Sequence, residues 1–385
     1  MSKKLIFRTL AGFIFIAFSI SLPSVSFAQE GKWTTKADMP TARWAFSTSV
    51  VDGKIYAISG RKARTGGWLA VVEEYNPATD TWTRKADIPT ARSWFSTSVL
   101  DGKIYAIGGW NPGNTATLEE YDPATDRWTK KMPIRRFELS TSTVDGKIYA
   151  IGGVGGQQKL MMVEEYDPAT DTWVRKADMP TARARLSACA VNGKIYAIGG
   201  STWDSATNQE TILSAVEEYD PATDTWTRRA DMPMPTHEHT ASVVNGKIYV
   251  MGGEGTLTQT PGAVQTILST IMKYDPATDT WIKEGDMRVP RTAMSASVVD
   301  GRIYVIGGKE VGVRGISTVE EYDPFPHVVD FNPDRILDIN DLVILIEYWG
   351  TDELLCDIAP PPDGDGIVDV LDLELFMDYW QQENM

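Results

Sequence analysis

The C-terminal part of the chain carries the densest set of side chains able to bind a metal ion. Residues 327–385 contain fifteen Asp and Glu residues but a single Arg. Their oxygen-bearing side chains recur with a period of 31 residues, at positions 3, 5, 9 and 12 of two loops that each open a helix. Hard oxygen donors at this spacing suit Ca²⁺. The predicted calcium ligands are Asp330, Asn332, Asp334, Asp338 and Asp341 in the first loop, and Asp357, Asp363, Asp365, Asp369 and Asp372 in the second.

Both loops depart from an ideal calcium loop. Arg335 stands where the tight turn of the first loop favours Gly, and Pro361 occupies the first ligand position of the second, where Asp357 is the expected substitute. The alternative is a solvated acidic tail. That alternative leaves the duplicated spacing unexplained, and also the apolar helix faces, such as Leu342, Leu345, Ile346 and Trp349.

A histidine pair and two cysteines are further candidates. His237 and His239 flank Glu238, and two His at alternate positions of a strand point to the same side, which suits a metal ion. No third ligand accompanies them, so a structural role is the favoured alternative. Cys189 lies between two alanines in an apolar segment. We expect a buried core thiol there, with a disulfide to Cys356 as the alternative.

A segment of the form Ile-Tyr-Ala-Ile-Gly-Gly recurs six times and organises most of the chain. Its copies begin 44 to 55 residues apart, at Ile55, Ile104, Ile148, Ile195, Ile248 and Ile303. Each follows Asp-Gly or Asn-Gly, which tolerates positive φ at both residues and therefore predicts a tight hairpin turn. A period of this length is typical of a repeat architecture.

Each repeat is predicted to form four strands. Examples of the first to the fourth are Ser96–Leu100, Ile104–Ile107, Val163–Tyr166 and Thr172-Trp173. The third and fourth are joined by Asp-Pro-Ala-Thr-Asp, in which Asp followed by Pro favours a type I turn. The second strand is apolar on both faces, which indicates burial between stacked sheets.

The Gly-Gly pair, the third-strand Tyr and the fourth-strand Trp together resemble the kelch repeat. The resemblance implies an all-β kelch β-propeller over residues 29–326. Lys32-Trp33-Thr34 looks like a fourth strand with no strands before it, while the last repeat stops at Pro324 without a Trp strand. We therefore expect the N-terminal strand to complete the last blade, which closes a six-bladed ring and removes its exposed edges.

The connections at one end of such a propeller differ from repeat to repeat. Five of the thirteen tryptophans fall in these connections, at Trp44, Trp68, Trp94, Trp110 and Trp203. Indoles gathered at one end suit stacking on a ligand, with packing between loops or filling of the central channel as the alternative. Most repeats carry an Arg a few residues before the first strand, such as Arg43 in the first repeat. The kelch resemblance implies that the residues just after this Arg and just after Gly-Gly line the binding face. The expected ligand-binding residues are Trp44, Arg61, Trp94, Trp110, Phe137, Arg185, Trp203, His237, Glu238, Glu254 and Lys309.

The paired loops of residues 327–385, each ending in Asp and followed by one helix, resemble a type I dockerin. This resemblance implies Ca²⁺ as cofactor and a cohesin-like protein as partner. The positions that carry partner contacts in that family hold Ile339-Asn340 and Val370-Leu371. Because these residues are largely apolar, the choice of cohesin stays open.

Residues 1–28 are expected to be a secretory signal peptide. Lys3, Lys4 and Arg8 precede the apolar run Leu10–Leu22, and small residues around Phe27 favour cleavage after Ala28. No other apolar run is long enough to span a bilayer, so a secreted protein without a transmembrane anchor is expected. The net charge of −15 resides mainly in the tail. The nearly neutral propeller segment therefore argues against nucleic-acid binding.

The favoured function is that of an exported, non-catalytic binding or scaffold protein. Its propeller would recognise a polysaccharide or a protein ligand, and its dockerin-like module would attach it to a cohesin-type partner. The alternative is a carbohydrate-active enzyme, of the sugar epimerase or lyase type, on the same propeller. Propellers host all of these functions, so the fold does not decide among them.

Overall fold

The computed structural model describes residues 31–112, 117–204, 209–256, 264–324 and 339–350, with residues 368, 372–373, 376–377 and 380. The predicted signal peptide, Cys356 and eight predicted calcium ligands lie outside the described residues. Those ligands are Asp330, Asn332, Asp334, Asp338, Asp357, Asp363, Asp365 and Asp369. Within the described ranges, no helix has both the length and the apolar character needed to cross a membrane.

The repeats form six four-stranded antiparallel sheets in the described part of the chain. Sheet 1 contains Ser47–Val51, Lys54–Ile58, Val72–Asn76 and Thr81–Lys85. Sheet 2 contains Ser96–Leu100, Lys103–Ile107, Leu118–Asp122 and Arg127–Lys130. Sheet 3 contains Ser140–Val144, Lys147–Ile151, Val163–Asp167 and Thr172–Arg175. Sheet 4 contains Ser187–Val191, Lys194–Ile198, Val216–Asp220 and Thr225–Arg229. Sheet 5 contains Thr240–Val244, Lys247–Met251, Thr270–Asp275 and Thr280–Asp286. The predicted all-β fold of four-stranded units is confirmed.

Sheet 6 joins the two ends of the repeat region. It contains Ser295–Val299, Arg302–Ile306 and Val319–Asp323, and its fourth strand is Lys32–Lys36 from the N-terminal side. Trp33 stands opposite Tyr322 in this pairing, and the two rings lie 4.8 Å apart. The N-terminal strand therefore pairs with the third strand of the last repeat, as predicted from the sequence.

The first strands of the six sheets contact one another in a ring. Hydroxyl side chains link them: Ser47 Oγ lies 2.8 Å from Thr97 Oγ1, and the Thr48 amide donates to Ser295 Oγ at 3.0 Å, which connects sheet 1 to sheet 6. The hairpin turn that follows each first strand has the predicted geometry. In sheet 1, Asp52 and Gly53 adopt φ of 50° and 69°.

The apolar cores lie between neighbouring sheets. Each second strand is buried on both faces, as predicted, because one face packs against the sheet before it and the other against the sheet after it. The fourth-strand tryptophans connect sheets. Trp82 packs on Tyr75 of its own sheet at 5.0 Å and donates from Nε1 to the Ala37 carbonyl of the preceding sheet at 2.9 Å.

Buried arginine–glutamate pairs support the end of the molecule that carries the variable connections. The pairs are Arg43–Glu73, Arg92–Glu119, Arg136–Glu164, Arg183–Glu217 and Arg291–Glu320. Each guanidinium is at most 1% exposed. The repeat of sheet 5 carries Thr236 and Met272 at the equivalent positions, so both partners are replaced together. A buried charge is tolerated only with its counter-charge, which accounts for the joint replacement.

The described C-terminal residues pack around a small apolar core. Helix α1 spans Ile339–Glu347, and its Leu345 is buried with Val368 and Phe376. Asp341 and Asp372, the last predicted ligands of the two loops, are both fully buried.

Candidate functional site

Six residues close a hydrogen-bonded ring where each fourth strand is connected to the next first strand. These ring residues are Ala45, Trp94, Glu138, Arg185, Glu238 and Ala293. The backbone N–H of each donates to the carbonyl of the one before it at 2.8–3.1 Å, and Ala45 donates to Ala293. All six are in the left-handed region, with φ between 50° and 57°. The six hydrogen bonds of the ring are therefore made by backbone atoms, whereas its side chains differ from sheet to sheet.

A second layer surrounds the ring. The residue before each ring residue pairs with the residue after Gly-Gly of the same repeat. These pairs are Trp44–Arg61, Ser93–Trp110, Phe137–Val154, Ala184–Ser201, His237–Glu254 and Thr292–Lys309. The second Gly is needed for this approach. A Cβ on Gly109 would lie 2.7 Å from Phe95 Cβ and 3.1 Å from the Ser93 carbonyl oxygen.

Four tryptophans and two cations form what we call the aromatic half of the site. It consists of Trp44, Arg61, Trp68, Trp94, Trp110 and Lys309. The indoles of Trp44 and Trp94 lie 5.8 Å apart, and those of Trp68 and Trp110 lie 5.2 Å apart. The Arg61 guanidinium lies 4.2 Å from the Trp68 ring, and Lys309 Nζ lies 3.9 Å from the Trp44 ring. Each cation thus rests on the face of an indole.

Carboxylates and two cations form the charged half of the site. It consists of Glu138, Lys159, Arg185, Glu210, Glu238 and Glu254. Arg185 Nε lies 3.1 Å from Glu138 and 3.7 Å from Glu238, while its Nη1 lies 3.5 Å from Glu210. Lys159 Nζ contacts Glu210 at 2.5 Å. Lys309 links the two halves, since its Nζ also lies 3.7 Å from Glu238.

The carboxyl groups of the charged half differ in their pKa. Burial raises the pKa of Glu138, against the opposing effect of Arg185, and burial followed by the charge of Glu238 raises that of Glu254. Burial acts in the same direction on Glu210, but hydrogen bonds from Lys159 and Ser201 outweigh it and lower its pKa to about 2. Glu210 is therefore a fixed anion, whereas the other two hold their protons more tightly than free carboxyl groups.

Both residues of the histidine pair are buried in the described chain. Burial lowers the pKa of His237 and, with the help of the His237 charge, lowers that of His239 to about 3. Glu238 between them has φ of 53°, so the segment is not an extended strand and the expectation that both rings point to one side does not hold. Among the described residues, no group of three His, Cys, Asp or Glu side chains is arranged to hold a metal ion.

One expected residue, Trp203, lies apart from the aromatic half, and the site contains residues that were not predicted from the sequence. Trp203 pairs with Glu210 in the hairpin of Ser201–Asp204 and Gln209–Ile212, where its side chain is 49% exposed and borders the charged half. Phe137 occupies the second layer, and the ring residue of its sheet is Glu138, which was not predicted. Lys159 and Glu210 were also missed, because they come from loops of unequal length.

A described cavity of about 730 Å³ lies elsewhere. Its lining includes Met132, Ile134, Leu160, Met162 and Trp173, together with Arg136 and Glu164. Arg136 and Glu164 pair with each other, and the remaining lining is largely apolar. The convergence of charged and aromatic groups therefore favours the ring and its two halves as the candidate site.

Comparisons with known proteins agree with this architecture. The family model described as Attractin/LZTR1 beta-propeller matches residues 72–314, and the Kelch motif matches residues 45–89. Kelch repeat and BTB domain-containing protein 12 of Danio rerio is 30% identical over 133 residues, which cover 33% of this chain and 20% of that protein. An F-box/kelch-repeat protein of Arabidopsis thaliana is 38% identical over 103 residues, which cover 26% of each chain.

Two further proteins are similar to this chain in sequence or in fold. Alpha-scruin of Limulus polyphemus is 34% identical over 109 residues, covering 28% of this chain and 12% of that protein. The chain thus spans about a quarter or less of the length of these curated relatives. The solved structure titled "Structure of YjhT" matches 74% of this chain and 95% of that chain with a TM-score of 0.63 at 18% identity, which shows a shared fold. Since the family model covers well over half of its residues, this chain belongs to the kelch-repeat β-propellers of the Attractin/LZTR1 beta-propeller family.

Proposed function

We propose that this protein is a non-catalytic binding module that holds a polysaccharide over the ring residues and the aromatic half. In this proposal the six sheets are the six blades of a propeller that the N-terminal strand closes. The observation that carries the proposal is the convergence of the four half-buried indoles of the aromatic half with the charged side chains of the charged half. Sugars need both kinds of surface.

The chemistry of a pyranose ring matches the two halves. Its C–H faces are apolar and stack on indole, and an aromatic ring provides a large contact area with little loss of conformational freedom. Its hydroxyls need hydrogen-bond partners, which Glu238, Glu254 and Arg185 offer in the neighbouring charged half. A neutral or acidic oligosaccharide lying across the ring would therefore place its faces on one half and its hydroxyls on the other.

The test is a glycan array followed by calorimetric titration of the best ligand. Trp44→Ala, Trp94→Ala and Trp110→Ala should each weaken binding by about 1–3 kcal/mol, by analogy with base stacking on aromatic residues. Trp203→Ala tests the charged half separately, since this indole borders that half and lies outside the aromatic half. Val174→Ala is the control, since Val174 is exposed on a fourth strand outside the site and its loss should change affinity little. Binding that all three variants retain would contradict the site. Turnover of the bound sugar would favour the epimerase or lyase alternative, and a glycan-negative protein would favour a protein ligand at the same face.

We further propose that residues 1–28 direct export and that residues 327–385 form a dockerin-like module that binds Ca²⁺ and a cohesin-like protein. The described residues fit the last ligand of each loop, because Asp341 and Asp372 are fully buried at equivalent positions beside one apolar core. A carboxylate in that setting requires positive charge or hydrogen-bond donors nearby. Ca²⁺ would supply the charge that orders both loops around these carboxylates.

Circular dichroism of the full chain tests the calcium proposal. Adding Ca²⁺ should increase helical signal and adding chelator should remove the increase, because the loops order their helices only when the ligand charges are neutralised. A chain ending at residue 326 is the matched control and should show no calcium response. Identical spectra of the full chain with ion and with chelator would favour the acidic-tail alternative.

A further inference from the structure

Arg61 differs from the other buried or half-buried arginines at this end of the molecule. The five repeat arginines each pair with a glutamate, and Arg185 contacts three carboxylates. The Arg61 side chain forms no hydrogen bond and no ion pair within the described part of the chain; its guanidinium lies among the rings of Trp44, Trp68 and Trp110, at 5.6, 4.2 and 5.9 Å. The residue is half-buried, and its Nε is buried without an acceptor among the described residues.

The surroundings of Arg61 are rich in donors and poor in acceptors. The indole Nε1 atoms of Trp44 and Trp68, like Arg61 Nε, are buried N–H groups that have no acceptor among the described residues. Lys309 adds a second positive charge beside the Trp44 ring. Unpaired donors and two cations against apolar walls create a local positive potential. Burial lowers the pKa of Arg61, and no carboxylate opposes the change.

We propose that the aromatic half recognises the carboxylate of an acidic sugar, with the terminal nitrogens of Arg61 as its partner. This inference rests on the proposed carbohydrate function and specifies its ligand as a uronic-acid polysaccharide. A guanidinium binds a carboxylate through two parallel hydrogen bonds, and the planar fork can do so while it stacks on an indole. The carboxylate of a uronate lies at the rim of the sugar ring, so the ring face remains free to stack on a neighbouring tryptophan.

The charged half fixes the orientation of such a ligand. Glu138, Glu210, Glu238 and Glu254 outnumber Arg185 and Lys159 there, so a second anion would be repelled. Their oxygens accept hydrogen bonds from sugar hydroxyls. The carboxylate is thus directed to Arg61 while the hydroxyls of the adjacent units face the ring, which gives the groove a defined polarity.

Titration of the full chain with matched oligosaccharides tests this inference. Each uronide carries a single uronate unit and is compared with its neutral counterpart of the same linkage: cellohexaose with the same β-1,4-linked hexamer containing one glucuronate, and hexamers with a single galacturonate or mannuronate with their neutral forms. The uronide should bind about 10- to 100-fold more tightly than its counterpart, the usual effect of a hydrogen-bonded charge. This difference should shrink at about 0.3 M salt, where exposed charges are screened.

Two variants distinguish the loss of the Arg61 charge from a loss of folding. Arg61→Gln should bring the affinities of the uronide and of the neutral sugar together, because it keeps a polar side chain and removes the guanidinium. Arg64→Gln is the matched control, since Arg64 is exposed in the same loop and should preserve the difference. Equal thermal midpoints establish that both variants fold. Neutral sugars that bind as tightly as uronides, or an unchanged preference in Arg61→Gln, would overturn the inference and leave the stacking site intact. Absence of binding to either class would overturn both.

Discussion

The buried pair of Arg183 and Glu217 should contribute to stability only as a pair. Its two side chains are 0% and 1% exposed. Arg183 Nη1 also donates to the carbonyls of Gly199 and Ala215 at 3.1 and 2.9 Å, and Glu217 accepts a hydrogen bond from Thr181 at 2.8 Å. Removing Glu217 leaves the Arg183 charge buried without a partner, and removing Arg183 leaves Glu217 only the exposed Arg228, 3.6 Å away. Loss of one partner of a buried pair costs about 3–5 kcal/mol.

The chain contains its own reference for this perturbation. At the equivalent positions of sheet 5, Thr236 and Met272 replace both partners. Arg183→Thr and Glu217→Met should therefore each lower the free energy of unfolding by about 3–5 kcal/mol. The double variant should lose less than the sum of the two losses by about 1–3 kcal/mol, because no uncompensated charge remains.

Urea denaturation followed by tryptophan fluorescence measures these differences. Arg84→Gln is the matched control: Arg84 pairs with Asp87 in the open, with side chains 52% and 49% exposed, and its loss should cost no more than about 1 kcal/mol. Losses of the two single variants that add up in the double variant would show that the charges do not depend on each other, and would refute the reasoning.

Three further predictions concern single side chains. Trp33→Ala should lower the free energy of unfolding by about 3 kcal/mol, because the indole packs on Tyr322 where the two ends of the repeat region pair. An unchanged urea midpoint would contradict that role. Although burial raises the pKa of Glu210, hydrogen bonds from Lys159 and Ser201 together with the charge of Arg185 lower it from 4.5 to about 2. These contacts therefore stabilise the fold above pH 4.5, and the stabilisation is lost as the pH falls towards 2. Urea midpoints measured across that range should therefore fall more steeply in the wild type than in Glu210→Gln. Cys189 is half-buried rather than fully buried as expected, but burial raises the pKa of its thiol to about 12, which leaves little thiolate at neutral pH. Peptide mapping should therefore find that iodoacetamide labels it far more slowly in the native protein than after unfolding in urea; equal rates would contradict this.

The repeat architecture could be predicted because its signals are local and recur. Asp-Gly turns, doubly apolar second strands and the Tyr–Trp offset each appear in nearly every repeat, so an error in one copy is corrected by the others. The partner of Lys32–Lys36 followed from the same offsets. Trp33 stands at the fourth-strand position, and the last repeat lacks that strand.

The ring and the charged half could be predicted only in part. The residues expected to line the binding face were chosen by their distance from the repeat arginine, and this choice did not distinguish the second layer from the ring. Phe137, for example, belongs to the second layer, whereas the next residue, Glu138, belongs to the ring. A left-handed backbone separates the directions of adjacent side chains, and nothing in the chemistry of Ala, Trp, Glu and Arg marks that conformation. The contact of Lys159 with Glu210 joins residues 51 positions apart in loops of different length, which no local pattern reveals.

The arginine–glutamate pairs were overlooked although a signal was present. Five repeats carry both the arginine and the glutamate, and the repeat of sheet 5 lacks both. Two positions that change together within one chain indicate a contact. Six internal copies can thus serve as a small alignment of the protein with itself.

The backbone ring has a consequence for altering what this protein binds. Because amide and carbonyl groups form all six hydrogen bonds of the ring, exchanging its side chains removes none of these bonds, although Glu138, Arg185 and Glu238 would lose their ion pairs. Proline lacks the required N–H, and the β-branched Val, Ile and Thr tolerate positive φ poorly. A randomised library at Trp94, Glu138, Arg185 and Glu238 that omits these four amino acids and keeps the buried Ala45 and Ala293 would therefore sample new specificities on the same backbone ring.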